Sequence, residues 1–162
     1  MKDKITIVTS WLLVLLTMLI IFNFSGQSGT QSNQVSEGVI VEILGIVMEK
    51  EEITPPVVQK FQMPVRKLAH FGIYMLLGFC TLNAFYNSFK LKVWLNISFS
   101  VLSCIAYATF DELRQGYTAG RSPAALDVLI DSLGALVGIG LFFGFIYLCN
   151  KKMNNEKSRT SD

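Results

Sequence analysis

Four blocks of apolar residues, 5–24, 68–86, 93–110 and 124–148, are each long enough to cross a bilayer, and that limits the chain to very few architectures. At 1.5 Å of rise per residue the blocks measure roughly 27 to 38 Å as helices, against a hydrocarbon core of about 30 Å. Backbone N–H and C=O groups in hydrocarbon must satisfy one another, so each block is read as a helix. With 51% hydrophobic residues in 162, the expected fold class is all-α, a bundle of four transmembrane helices in one domain. That domain is placed at 5–148, between a short cytoplasmic N-terminus at 1–4 and a charged cytoplasmic tail at 149–162.

The first block follows Lys2 and Lys4 as a secretory leader would. Its apolar run is long, however, and no clean small-x-small cleavage site follows, so it is read as an uncleaved helix. Cys80, Cys104 and Cys149 all fall in apolar blocks, a pattern of buried thiols rather than of a disulfide framework or a metal site. Lys2, Lys4, Lys90, Lys92, Lys151, Lys152, Lys157 and Arg159 flank the blocks on one side. The positive-inside rule then gives a multi-pass protein with both termini in the cytoplasm. The net charge of +2 is small and its basic residues sit where topology wants them, which argues against a nucleic-acid partner.

The first outer loop, 25–67, begins polar and then turns weakly periodic. Val35, Val39, Ile43 and Ile46 or Val47 recur at three- and four-residue steps, predicting an amphipathic helix that lies on the outer leaflet or packs on the protein. Pro55 and Pro56 break the chain, and Pro64 suits the first turn of the second spanning helix.

Ionisable residues in or beside the apolar blocks are the best guide to function, because charge within a membrane is costly and usually faces a bundle interior or a watery cavity. On a helix starting near Pro64, Lys67, His70 and Tyr74 share one face at its outer end. The third block delivers Asp111, Glu112 and Gln115 to the same boundary, and Arg121 follows in the return loop 116–123. The last helix carries Asp127 and Asp131 four residues apart, with Asp131 roughly 10 Å below the helix start. Farther along, Gly134 and Gly138, then Gly140 and Gly144, make two G-x-x-x-G spacings suited to close helix approach and to a homodimer. The polar ends of the last three spanning helices are therefore expected to converge.

Several of these residues form an ordered set: Phe24-Ser25-Gly26-Gln27-Ser28, then Arg66-Lys67-Leu68-Ala69-His70-Phe71 with Tyr74 and Gly78, then Tyr107, Asp111-Glu112, Gln115, Gly120-Arg121 and Asp127. The set resembles the VanZ-like family over about residues 20–145, through the K-x-x-H-F-x-x-Y and D-E-x-x-Q...G-R...D combination. The resemblance implies a protein of the bacterial plasma membrane acting at the cell envelope, with low-level teicoplanin (glycopeptide) resistance as the associated phenotype. One departure stands out. Where many members have D-x-x-x-N-x-x-G, this chain has Asp127-x-x-x-Asp131-x-x-Gly134, a second acid in place of a neutral amide.

Three functions fit these residues. In the first, Lys67, His70, Tyr74, Asp111, Glu112, Gln115, Arg121, Asp127 and Asp131 bind or translocate a lipid or lipid-linked envelope molecule at the outer face. Arg121 and Lys67 would hold an anionic head, while Asp127 and Asp131 would meet a cation, a proton or a polar head. In the second, His70 is a general acid or base oriented by Asp111 or Glu112, acting on a phospholipid or lipid-linked substrate. No G-x-S-x-G, H-E-x-x-H or Walker loop accompanies it. In the third, the charges are an ion-pair network that only holds the helices together. No cofactor is implied, and a lone histidine beside oxygen ligands is a poor basis for a zinc site.

Overall fold

A computed structural model describes residues 4–118 and 124–159, and every element in them is helical apart from turns and short connections. The order is α1 (Lys4–Ser25), α2 (Gly29–Val47), a single 3-10 turn (Lys50–Glu52), α3 (Pro55–Ser88), α4 (Val93–Gln115) and α5 (Ala125–Arg159). Four helices are long and apolar enough to cross a membrane: α1, α3, α4, and α5 over Ala125–Lys152. The chain is thus an all-α bundle of four candidate spans plus the extra helix in the first loop.

The polarity of the bundle is inverted relative to a water-soluble protein. On α1 the buried positions are Ser10, Val14, Thr17, Ile21 and Ser25, while Leu12, Leu13, Leu15, Leu16 and Leu19 are exposed. On α4 the buried stripe runs Asn96, Ser100, Cys104, Ala108, Asp111, Glu112 and Gln115. Hydrocarbon outside makes it cheap to leave leucine exposed, and small or polar side chains inside let helices approach and bond. The hydroxyls of Ser10, Thr17, Thr81 and Ser100 bond back to the carbonyl four residues earlier on their own helices, so none is left orphaned.

α3 is the hub, packing most extensively on α5 and also touching α1, α2 and α4. Its contact with α5 is backbone against backbone. A Cβ placed on Gly78 would overlap the backbone of Ala135, one on Gly134 that of Phe71, and one on Gly138 that of Met75 and Phe79. Two of the glycines named for a homodimer are therefore occupied within the chain, whereas Gly140 and Gly144 have nothing within 4 Å. Tyr74, Leu77, Cys80, Ala84, Cys104, Ala108 and Ala135 fill the core beside this contact. At the bundle end away from the acidic residues, α1 is tied to α3 through Trp11 Nε1 donating to Ser88 Oγ (2.8 Å) and Asn87 Nδ2 donating to Ser10 Oγ (2.9 Å). Cys80 and Cys104 are buried, but Cys149 is exposed, because the far end of α5 extends beyond its neighbours' cover.

The structure corrects one boundary of the sequence reading and adds the inward face of α2. α3 begins at Pro55, not near Pro64. Pro55 and Pro56 occupy the first turn, where no intrahelical N–H partner is lost, and Pro64 sits inside the helix. In α2, opened by a capping box between Ser28 and Gln31, the residues turned inward are Ser32, Ser36 and Ile40. The Val35, Val39, Ile43, Ile46 and Val47 stripe is exposed instead, since the two serines allow a closer seat on α3 than valine would.

Candidate functional site

The C-terminal ends of α1 and α4 meet the N-terminal part of α5 and the middle of α3 at one end of the bundle. There the ionisable residues sort into separate pairs. Lys67 Nζ lies 3.2 Å from Asp127 Oδ1, with both side chains about a third exposed. One turn farther in, His70 Nδ1 stands 3.6 Å from Asp131 Oδ1, and Asp131 is buried. That spacing is an ion-pair contact longer than a hydrogen bond, so the pair can tighten or be bridged. The two pairs follow from sequence spacing: Lys67 and His70 are three apart on α3, Asp127 and Asp131 four apart on α5, and the helices face each other across the glycine contact.

Asp111 belongs to a different group. It is 1% exposed, and its Oδ2 accepts from Ser25 Oγ (2.5 Å) and from Gln115 Nε2 (3.1 Å). Its Oδ1 takes Arg114 Nη2 at 3.3 Å. Arg114 also donates to the Phe22 carbonyl at 2.6 Å and lies over the Phe22 ring, 3.9 Å from its centroid. This cluster clamps the end of α1 to the end of α4. Glu112 does a third job: Oε1 accepts from the Ala124 backbone N–H at 2.6 Å, which caps the start of α5. Among the described residues the acid placed beside His70 is Asp131, whereas Asp111 and Glu112, which the sequence offered for that place, bond to Ser25, Gln115 and the start of α5. Tyr74 is fully buried, within electrostatic range of Asp111 and Asp131, and its hydroxyl has no hydrogen-bond partner among the described residues. Arg121 lies outside the described residues.

Two cavities open on this end. The polar one, about 330 Å³, lies between α3 and α5 and is lined by Met63, Arg66, Lys67, His70, Gln115, Asp127 and Asp131, among others. The second, about 280 Å³, lies between α1, α2 and α3, and Ser25, Gln27, Arg66 and His70 are its polar residues beside Ser32 and Ser36 of α2. Arg66 and His70 line both. In chemical terms the polar cavity offers cations for an anionic group, acids for a cationic or hydroxyl group, and an imidazole for proton exchange.

Three further contributors have no settled role in the sequence alone. Arg66, present there only as part of the family motif, stands four residues before His70 on one helix face and donates from Nη2 to Asn33 Oδ1 at 2.5 Å. Arg114 is the cation of the clamp, and its spacing of three from Asp111 was the available signal. Ser25, likewise present only in the motif, is a buried partner of Asp111 and Gln115.

Neither a curated protein nor a solved structure matches the chain. The VanZ/LLP1 family model matches residues 10–148, a stretch that takes in the whole of α3 and α4, most of the first and last candidate spans and every paired residue above, and the chain belongs to the VanZ/LLP1 family.

Proposed function

We propose that this membrane protein binds, and in its working cycle moves, an amphiphilic molecule of the cell envelope. The head group enters the polar cavity at the extracytoplasmic face, and the outcome is reduced susceptibility to teicoplanin. The observation that carries the reading is the cavity itself. It is bounded by the Lys67–Asp127 ion pair and by His70 beside Asp131, on the facing sides of two spanning helices. Charges kept at membrane depth in a wall that a ligand can reach are the ordinary mark of a binding or transport pathway. Lys90 and Lys92 between α3 and α4, and Lys151 and Lys152 near the end of α5, lie toward the opposite end of the bundle. The positive-inside rule supports placing that end in the cytoplasm and the cavity outside.

The test is teicoplanin susceptibility of a sensitive host expressing the wild type or His70→Ala, with membrane levels and melting of both proteins measured alongside. The expected result is normal accumulation and melting with loss of protection. A variant that accumulates and protects as well as the wild type refutes the site.

The His70–Asp131 pair also favours a second reading, in which His70 acts as general base or acid and Asp131 fixes its ring orientation. Incubation of the protein with labelled envelope lipid separates the two: binding leaves the lipid intact, whereas catalysis changes its mass and loses that activity in His70→Ala.

A further inference from the structure

The polar cavity accounts for a head group, but an amphiphile also has a hydrocarbon part. The second cavity is built differently from the first. Its apolar walls include Ile20, Ile21, Phe24, Val35, Val39 and Ile73, and its polar residues are Ser25, Gln27, Ser32, Ser36, Arg66 and His70. Phe24, Val35 and Val39 are 57%, 49% and 43% exposed in the isolated chain. The cavity is therefore open at its side, and because two of its three helices, α1 and α3, are candidate spans, the proposed orientation turns that opening toward the outer leaflet. Its volume of about 280 Å³ accommodates on the order of nine water-sized groups at roughly 30 Å³ each. A methylene is of similar size, so one aliphatic chain fits between these walls.

Arg66 stands where the two cavities meet. Among the described cations of this end, Lys67 is held by Asp127 and Arg114 by Asp111, whereas the hydrogen-bond partner of Arg66 is the neutral amide of Asn33. Its Nε is buried with no hydrogen-bond partner among the described residues. A guanidinium fixed at one edge by an amide, with a donor still unused, suits a phosphate-like anion.

We propose that the cavity between α1, α2 and α3 is the hydrocarbon half of the site. It takes the chain of a single-chain amphiphile that slides in from the bilayer, while the anionic head of the same molecule rests at Arg66 and reaches the polar cavity past His70. α2 is the outer wall of this chain site, which gives the first-loop helix a function. The proposal rests on the reading that the polar cavity binds an amphiphile's head, and it adds the chain's location.

The probe is decyl phosphate carrying a diazirine at the far end of its chain, bound to the full-length protein in phosphatidylcholine nanodiscs, photolysed and mapped by mass spectrometry. Labels are expected on Ile20, Val35, Val39 and Ile73, saturable and displaced by unlabelled decyl phosphate but not by inorganic phosphate. Ala69→Phe, which places a ring at the cavity opening, should reduce that labelling tenfold or more. Arg66→Gln should weaken binding several-fold without moving the labels. Because the map is made first on the unaltered protein, a variant that fails to fold does not decide the matter.

Saturable binding with labels confined to outward leucines such as Leu12, Leu16, Leu129 and Leu133 overturns the chain site and leaves the head-group reading standing. Absence of any saturable binding overturns both. Full displacement by inorganic phosphate overturns the amphiphile in favour of a free anion.

Discussion

Replacing Gly138 by alanine should loosen the whole site, although Gly138 lies more than two turns beyond Asp127 on α5. The added Cβ would overlap the carbonyl oxygen of Met75 and the amide nitrogen of Phe79, both backbone atoms that no rotamer change can move. Restoring ordinary contact near 3.5 Å requires α3 and α5 to part by on the order of an ångström. Overpacking of this kind costs about 1 to 3 kcal/mol, offset by up to about 1 kcal/mol of helix propensity gained by alanine. A net loss of about 1 kcal/mol corresponds to a fall in Tm of roughly 2 to 4 °C for a chain of this size. The same separation carries Lys67 away from Asp127 and His70 away from Asp131, so teicoplanin protection should fall too. Gly140 supplies the control on the same helix: nothing lies within 4 Å of its added Cβ. Gly140→Ala should therefore melt at or slightly above the wild type, by up to about 1 kcal/mol. Thermal melting of the purified proteins in one detergent reads both. If Gly138→Ala melts with the wild type while Gly140→Ala falls, the backbone contact between α3 and α5 is misassigned.

Two other outcomes follow from the same geometry. Asp111→Ala leaves the Arg114 guanidinium, Ser25 and Gln115 without their shared acceptor and should cost about 3 to 5 kcal/mol, seen as little protein in the membrane fraction. Lys67→Ala breaks a pair about a third exposed, should cost under about 1 kcal/mol, and should accumulate normally while losing protection; equal accumulation of the two variants would contradict the sorting of structural from functional pairs. Cys149 is exposed whereas Cys80 and Cys104 are buried, so one maleimide should couple per folded chain, and an impermeant maleimide should react only after the cell membrane is permeabilised; labelling of intact cells would reverse the proposed topology.

The spans were legible because one physical demand, an apolar surface over the bilayer thickness, writes itself along the chain with no reference to partners. Pairing was not legible in the same way. Asp111, Glu112, Asp127 and Asp131 are the same chemistry in sequence, and which of them meets His70 depends on the rotation of α4 and α5 about their axes. The glycines set that rotation: Gly134 and Gly138 press α5 onto α3, which turns Asp127 and Asp131 toward Lys67 and His70. Asp111, on α4, is left for Ser25, Gln115 and Arg114. The inward face of α2 was hidden for a related reason. Helix periodicity marks the apolar stripe, but in a membrane the apolar stripe need not be the buried one, and here the serines are.

The second acid at Asp131 acquires a physical meaning from its position. An amide there is confined to neutral hydrogen bonding, whereas the carboxyl group, buried with its Oδ1 3.6 Å from His70 Nδ1, can exchange a proton with the imidazole. An Asp131→Asn change removes the acid and leaves the imidazole a neutral partner of the same shape, so the variant should accumulate and melt as His70→Ala does while losing protection, which membrane levels and thermal melting read.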